Sequence, residues 1–144
     1  MFSKTCEYAF RAVAAVAQAS ANGVRLTLPV IAEMTGTPQA FMGKIMQDLV
    51  KARIVRSYRG PSGGFDLPMA NAANVNLRMV MDALGGGMDN TLCVMGIGEC
   101  NSGKPCPMHN DFVEVRKDIS RILANTYVDR LAKELNTGAT DLKK

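Results

Sequence analysis

Apolar residues recur at helical spacing through Ala9, Phe10, Val13, Ala14 and Ala17, with small side chains around them. Ser3 stands where a capping hydroxyl belongs, and Asn22-Gly23 where a left-handed stop belongs. The pattern therefore predicts a tightly packed first helix running to about Asn22. Leu28-Pro29-Val30-Ile31-Ala32-Glu33-Met34 predicts a short second helix, with Thr27 as N-cap and Pro29 in its first turn, broken at Thr35-Gly36. Thr37-Pro38 opens a third, whose apolar face takes Phe41, Ile45 and Leu49, with Met42 and Met46 as further candidates. Ile54-Val55-Arg56-Ser57-Tyr58 and Phe65-Asp66-Leu67 have strand character on either side of Gly60-Pro61-Ser62-Gly63-Gly64, which reads as a turn.

Asn76 caps a further helix carrying Leu77, Val80, Met81 and Leu84, stopped by Gly85-Gly86-Gly87. Residues 88–107 are rich in Gly, Cys and Pro. A structureless run of that length calls for a function, or for a ligand that orders it. From Met108 to Leu135 the helical pattern returns at Phe112, Val115, Ile119, Ile122, Leu123, Leu131 and Leu135. It predicts one long helix with a single apolar stripe. The chain offers that stripe no obvious partner, so pairing with a second copy is its natural use, and packing back across its own domain is the alternative.

The order helix, helix-turn-helix, hairpin is that of a winged helix-turn-helix. The expected fold is mainly α with a small β-wing, plus a long C-terminal dimerisation helix. The expected organisation is a winged head over residues 1–68, a linker helix over 69–87, a cysteine-rich loop over 88–107, the dimerisation helix over 108–135 and a polar tail over 136–144. No internal repeat is present.

Charge sharpens this picture. Residues 1–68 hold eight Lys/Arg against four acids and residues 69–144 nine against nine, so the whole net charge of +4 lies in the head. Five of the eight bases fall between Lys44 and Arg59, a concentration that suits a polyanion. If the polyanion is double-stranded DNA, Gln39 and Lys44 are candidates for base edges on the outer face of the third helix. Lys51, Arg56, Tyr58 and Arg59 would meet the backbone or a groove, and a phosphate would sit on the Thr37 hydroxyl or the amides beside it.

The ten Met and the absence of Trp make the core aliphatic and adaptable. No run approaches 18 apolar residues, so no membrane span is expected. The Ala-rich residues 12–21 are too weakly hydrophobic for a signal segment. A cytoplasmic location follows, where four Cys are metal ligands or redox groups rather than disulfides. Three of them fall in Cys93-x6-Cys100-x5-Cys106, followed two residues later by His109, the one His of the chain. Gly96, Gly98 and Gly103 let the sulfurs converge, and Pro105 and Pro107 stiffen the approach of Cys106. Such soft ligands suit an iron–sulfur cluster or zinc, although the paired spacing common at zinc sites is absent. Unligated thiols remain a third reading. One His, no Gly-rich phosphate loop and no nucleophile–base pair leave nothing for an enzyme.

The run from Phe41 through Lys44, Lys51, Arg56 and Tyr58 to Arg59-Gly60-Pro61-Ser62-Gly63-Gly64-Phe65 resembles the recognition helix and wing of the Rrf-type (IscR/NsrR-like) transcriptional regulators. The Arg-Gly-x-x-Gly-Gly-aromatic piece is its most specific part, and the resemblance covers roughly residues 2–135. It implies a homodimer with crossed C-terminal helices and Arg59 in the minor groove. It also implies an iron–sulfur cluster on Cys93, Cys100 and Cys106 that senses redox, nitric oxide or iron–sulfur status. Members with a 2Fe–2S cluster add a His, here His109, while those with 4Fe–4S take a carboxylate near the N-terminus, here Glu7 of the partner subunit. Cys6, beside Glu7, reads as a small buried residue. Repression is the commoner outcome in the family, and some members work without a cluster through thiol oxidation or a partner protein. Two features depart from the family: Gly43 stands on the third helix where relatives place bulky polar residues, and the interval between the first two cysteines is longer by one. Gly43 points to a close approach to DNA or to a packing need.

Overall fold

Ser3 opens α1 (Lys4–Ala21), its hydroxyl accepting the Cys6 amide at 3.3 Å. The helix closes at Asn22, with Gly23 left-handed at φ +73°. In this computed structural model the described residues are 2–86, 92–138 and 140–142. Gly87 and the expected loop's residues 88–91 lie outside them. The α1 residues Ala9, Ala12, Val13, Ala15, Val16 and Ala17 are all buried, because other helices pack on several of its sides. Small side chains permit that closeness. Enlarging one of them would overpack the core at a cost of about 1–3 kcal/mol.

α2 (Leu28–Thr35) ends at left-handed Gly36, and α3 (Gln39–Lys51) follows after Thr37-Pro38. Thr35 Oγ1 lies 2.8 Å from the Ile31 carbonyl and 2.9 Å from Thr37 Oγ1, so the turn's hydroxyls satisfy each other inside the protein. The buried face of α3 is Met42, Ile45, Met46 and Leu49. It holds Ile45 and Leu49 of the expected row and the further candidates Met42 and Met46, but not Phe41. Phe41 is 38% exposed and lies edge-on to Tyr8 at 5.8 Å.

The hairpin forms from β1 (Arg56–Tyr58) and β2 (Gly64–Asp66), antiparallel, with Ser57 opposite Phe65. It is shorter than expected. Ile54 and Val55 are buried before it begins, and Leu67 leaves it to donate its amide to Ser20 Oγ at 2.8 Å. Leu26 adds a third backbone piece through reciprocal bonds with Phe65 of 3.1 and 2.8 Å. Two close approaches, one within the hairpin's own turn and one by Leu26, explain the double glycine of the wing. A Cβ on Gly63 would lie 2.5 Å from the Tyr58 carbonyl oxygen. Gly64, at φ +130°, would place its Cβ 2.7 Å from that of Leu26.

Beyond the wing come a short α4 (Met69–Ala72), which the pattern did not announce, and α5 (Leu77–Ala83), capped by Asn76 accepting the Met79 amide at 2.9 Å. The expected long C-terminal helix is two helices, α6 (His109–Asn125) and α7 (Val128–Asn136). No Gly or Pro causes the break. Thr126 and Tyr127 leave the helical ladder because their backbone pairs with residues 75–77: Leu77 donates to Thr126 and Val128 to Val75, at 3.0 and 2.9 Å.

The two halves then serve different ends. α7 packs back on α1, burying Val128 and Ala132 in the main core. α6 buries only Leu123, beside Cys6 and Met81, with Ile119 packed against them. Val115 and Ile122 stay 45% and 60% exposed. The architecture is mainly helical with one two-stranded sheet, the expected winged-helix class. No helix among the described residues is long and apolar enough to cross a membrane.

Candidate nucleic-acid interface and cysteine cavity

Two groups of residues carry chemistry, on the outer face of α3 with the hairpin, and in the loop before α6. On the first, Gln39, Lys44, Lys51 and Arg59 are exposed and make no side-chain hydrogen bond or ion pair among the described residues. They are open to a partner. Thr37 is 6% exposed and bonded to Thr35, so its hydroxyl is spent inside and only the amides at the start of α3 face outward.

Arg56 does not sit near the hairpin tip. It lies at the hairpin's base, directly across from Asp66, and grips that carboxylate with Nε at 2.8 Å and Nη2 at 3.2 Å. The bond raises the already high pKa of its guanidinium. Tyr58 is half-buried, its ring covered by the guanidinium of Arg25 at 3.5 Å. Arg25 and Asp66 had no visible role in the sequence. The only signal was the polar–apolar–polar alternation Arg25-Leu26-Thr27, too short to announce a strand.

In the second group, the loop turns back on itself between Leu92 and Glu99. The Cys93 amide donates to the Gly98 carbonyl at 2.8 Å and the Gly96 amide to the Cys93 carbonyl at 2.9 Å. Gly96 and Gly98 adopt φ of +71° and +106° to allow it. Arg116 of α6 ties the loop down by donating to the Leu92 carbonyl. At the start of α6 the His109 amide caps back onto the Cys106 carbonyl at 3.0 Å.

The result brings Cys93, Cys100, Cys106 and His109 onto the walls of one cavity of about 270 Å³, with Pro105 and Pro107 beside them. Within it Cys100 Sγ lies 3.2 Å from His109 Nδ1, and Cys93 and Cys106 are near enough to shift each other's ionisation. A hydrogen bond from the Met95 amide holds the Cys93 thiol below its ordinary pKa, and the neighbouring Cys93 pushes that of Cys106 up. No three donors among the described residues meet closely enough to hold a single metal ion. Three soft thiols and an imidazole around one cavity are nonetheless a donor set suited to a larger thiophilic group. Cys6 is buried between Met81 and Leu123, where desolvation raises its pKa. Glu7 forms a surface ion pair with Lys4 at 2.9 Å.

The profile of the Rrf2 family, described as "Iron-dependent Transcriptional regulator", matches residues 2–134. The HTH-type transcriptional regulator IscR of Vibrio campbellii is 32% identical over 104 residues, covering 72% of this chain and 61% of that protein, so the match spans less than two thirds of the relative's length. Among solved structures, CymR of B. subtilis, the "Global Cysteine Regulator", superposes with a TM-score of 0.73 at 18% identity, over 92% of this chain and 96% of that one. T. potens IscR gives 0.70 at 20% identity over 97% and 91%. At these identities the structures speak to the fold alone.

Proposed function

The chain belongs to the Rrf2 family of transcriptional regulators, and from that premise we propose that it is a homodimeric repressor whose hold on an operator is set by an iron–sulfur cluster on Cys93, Cys100, Cys106 and His109. The gathering of the chain's one His and three of its four cysteines around a single cavity carries this reading. Three cysteines and one His around one cavity, without the paired cysteine spacing common at zinc sites, support a 2Fe–2S group over zinc. Glu7 of the partner subunit as a fourth ligand to 4Fe–4S is the less supported arrangement, because Glu7 is engaged with Lys4. When bound, such a cluster supplies a centre that reacts with oxidants and nitric oxide, and a His ligand raises its reduction potential.

The protein's own residues do the rest. α3 presents Gln39 and Lys44 to base edges, Gln suiting adenine and Lys the acceptors of guanine. Arg59 at the wing enters the minor groove, while Lys51 and the amides at the start of α3 hold phosphates. Arg56 and Tyr58 act from behind, bracing the hairpin, and the Thr37 hydroxyl is withdrawn from the set. The exposed Val115 and Ile122 of α6 meet a second copy. Because the cavity lies at the root of that helix, ordering of residues 92–107 sets the spacing of the two heads, which must match about one turn of duplex. A switch needs only different operator affinities in the two loop states.

Purification without oxygen, with iron, sulfide and EPR analysis, tests the reading. Iron and inorganic sulfide together support it, and a colourless zinc-bearing protein rejects it. Operator affinity should fall steeply with salt. A second reading, a cluster-free regulator using thiol oxidation or a partner protein, is favoured by the Cys93 thiol, held below its ordinary pKa in the same cavity as Cys106. It predicts a metal-free protein whose DNA affinity changes with oxidant.

A further inference from the structure

Arg25 lies between α1 and α2, away from α3, yet it reaches every part of the wing. Its guanidinium carbon stands 3.5 Å from the centre of the Tyr58 ring on β1. Its Nε is 3.6 Å from Asp66 Oδ2 on β2, and its Nη1 donates to the Ser62 carbonyl in the turn at 3.3 Å. The next residue, Leu26, exchanges two backbone bonds with Phe65 and so joins the wing strands to the segment before α2. Asp66 is buried, and Arg56 grips both of its carboxylate oxygens through Nε and Nη2.

We propose that Arg25 is a positioning residue for DNA recognition: with Asp66 as the acid it shares with Arg56, it fixes the wing on the body of the head and so sets where Arg59 lies. The proposal rests on the reading of the wing as a DNA contact and adds a residue that acts through it without touching DNA. A two-strand hairpin with three residue pairs has little stability of its own. Its orientation must come from what it is tied to. The guanidinium suits this task because one planar group stacks on an aromatic face and meets a carboxylate in its plane, which an ammonium cannot do. Ion pairs this exposed add little to global stability. Loss of Arg25 therefore frees the wing without unfolding the head.

The test uses the full chain and a duplex that the wild-type protein selects from a random-sequence pool. Four proteins are compared: Arg25→Ala, Arg25→Lys, Arg59→Ala and the Arg25→Ala/Arg59→Ala double variant. Arg25→Ala should weaken binding by roughly tenfold, the scale of one coupling of 1.4 kcal/mol, and lower the salt dependence no further than Arg59→Ala does. Arg25→Lys should recover only part of the loss. The double variant should bind no more weakly than Arg59→Ala alone, because the two substitutions remove one effect. In the free protein, hydrogen exchange at residues 56–66 should quicken in Arg25→Ala while α1 is unaffected. Additive losses with a salt slope shallower than that of Arg59→Ala would show Arg25 on a phosphate itself and overturn the proposal, as would unchanged exchange in the wing. If Arg59→Ala binds like wild type, the wing reading is what has failed. The exchange experiment alone then still decides whether Arg25 anchors the hairpin.

Discussion

The winged head and the cysteine loop are held by different means. In the head, Val13, Ile31, Met42, Ile45, Leu49 and Val55 are all buried in one core, each such side chain contributing about 1.5–3 kcal/mol. Between residues 92 and 107 only Cys93 is buried, and Val94, Met95 and Ile97 stand in solvent. The loop's shape rests on a few backbone bonds, two left-handed glycines and one arginine from α6. The head is thus finished by its own side chains, whereas the loop changes conformation at small cost. A ligand can do most where the protein has done least.

The sharpest way to break this comparison is to remove the thiols. A Cys93→Ala/Cys100→Ala/Cys106→Ala variant should lose all bound iron and sulfide, while its thermal midpoint in the metal-free state stays within a few degrees of the metal-free wild type. If the melt collapses instead, the loop is part of the core and the contrast is wrong. The next largest effect falls on α6, whose polar face carries the Glu114–Lys117 and Asp118–Arg121 pairs while Val115 and Ile122 are bare. Ile122→Glu should weaken self-association by about 100-fold, since burying an unpaired carboxylate costs several kcal/mol. Sedimentation would show monomers with unchanged helicity. A dimer that persists would place the interface elsewhere.

How legible these regions were follows the same division. The head's helices, caps and turn could be placed because their signals are local: Ser3, Asn22-Gly23, Pro29, Gly36 and the 3.6-residue spacing act within a few residues of where they stand. What escaped depends on distant partners. The face of α3 is set by what it packs on, so Phe41 stayed out while the candidates Met42 and Met46 went inside with Ile45 and Leu49. The break at Thr126-Tyr127 answers to backbone some fifty residues earlier, and nothing in the local pattern of a continuous stripe reveals it. Arg56 looked like a phosphate contact until Asp66 appeared opposite it. At the cavity, spacing named four side chains that line it together but not that Cys100 lies against His109.

Gly64 tests whether the wing shares the head's rigidity. A Cβ there collides with the Leu26 carbonyl in a backbone conformation that L side chains avoid. Gly64→Ala should cost about 1–3 kcal/mol, seen as a lower denaturation midpoint, and DNA binding should drop with it. A full-stability variant would mean the wing can part from Leu26, making it closer in character to the loop than to the head.

Gly43 gives the smallest effect and separates two demands on one helix. It lies within α3, where a glycine costs about 1 kcal/mol relative to alanine. The sequence left two explanations for it, a packing need or a close approach to DNA. Packing does not impose it: an added Cβ would meet only Leu28 Cδ2, at 3.4 Å, an ordinary contact with the end of a flexible side chain. Gly43→Ala should therefore raise the free energy of unfolding by about 0.5–1 kcal/mol, measured by urea denaturation. If the glycine serves the approach of the duplex, operator affinity falls while stability rises, and the two measurements part company in a single variant. A more stable protein with unchanged affinity removes that explanation, because the methyl group would then sit on a part of α3 that the DNA never reaches. A less stable one shows that Leu28 has no room to yield, which returns Gly43 to the packing of α2 against α3.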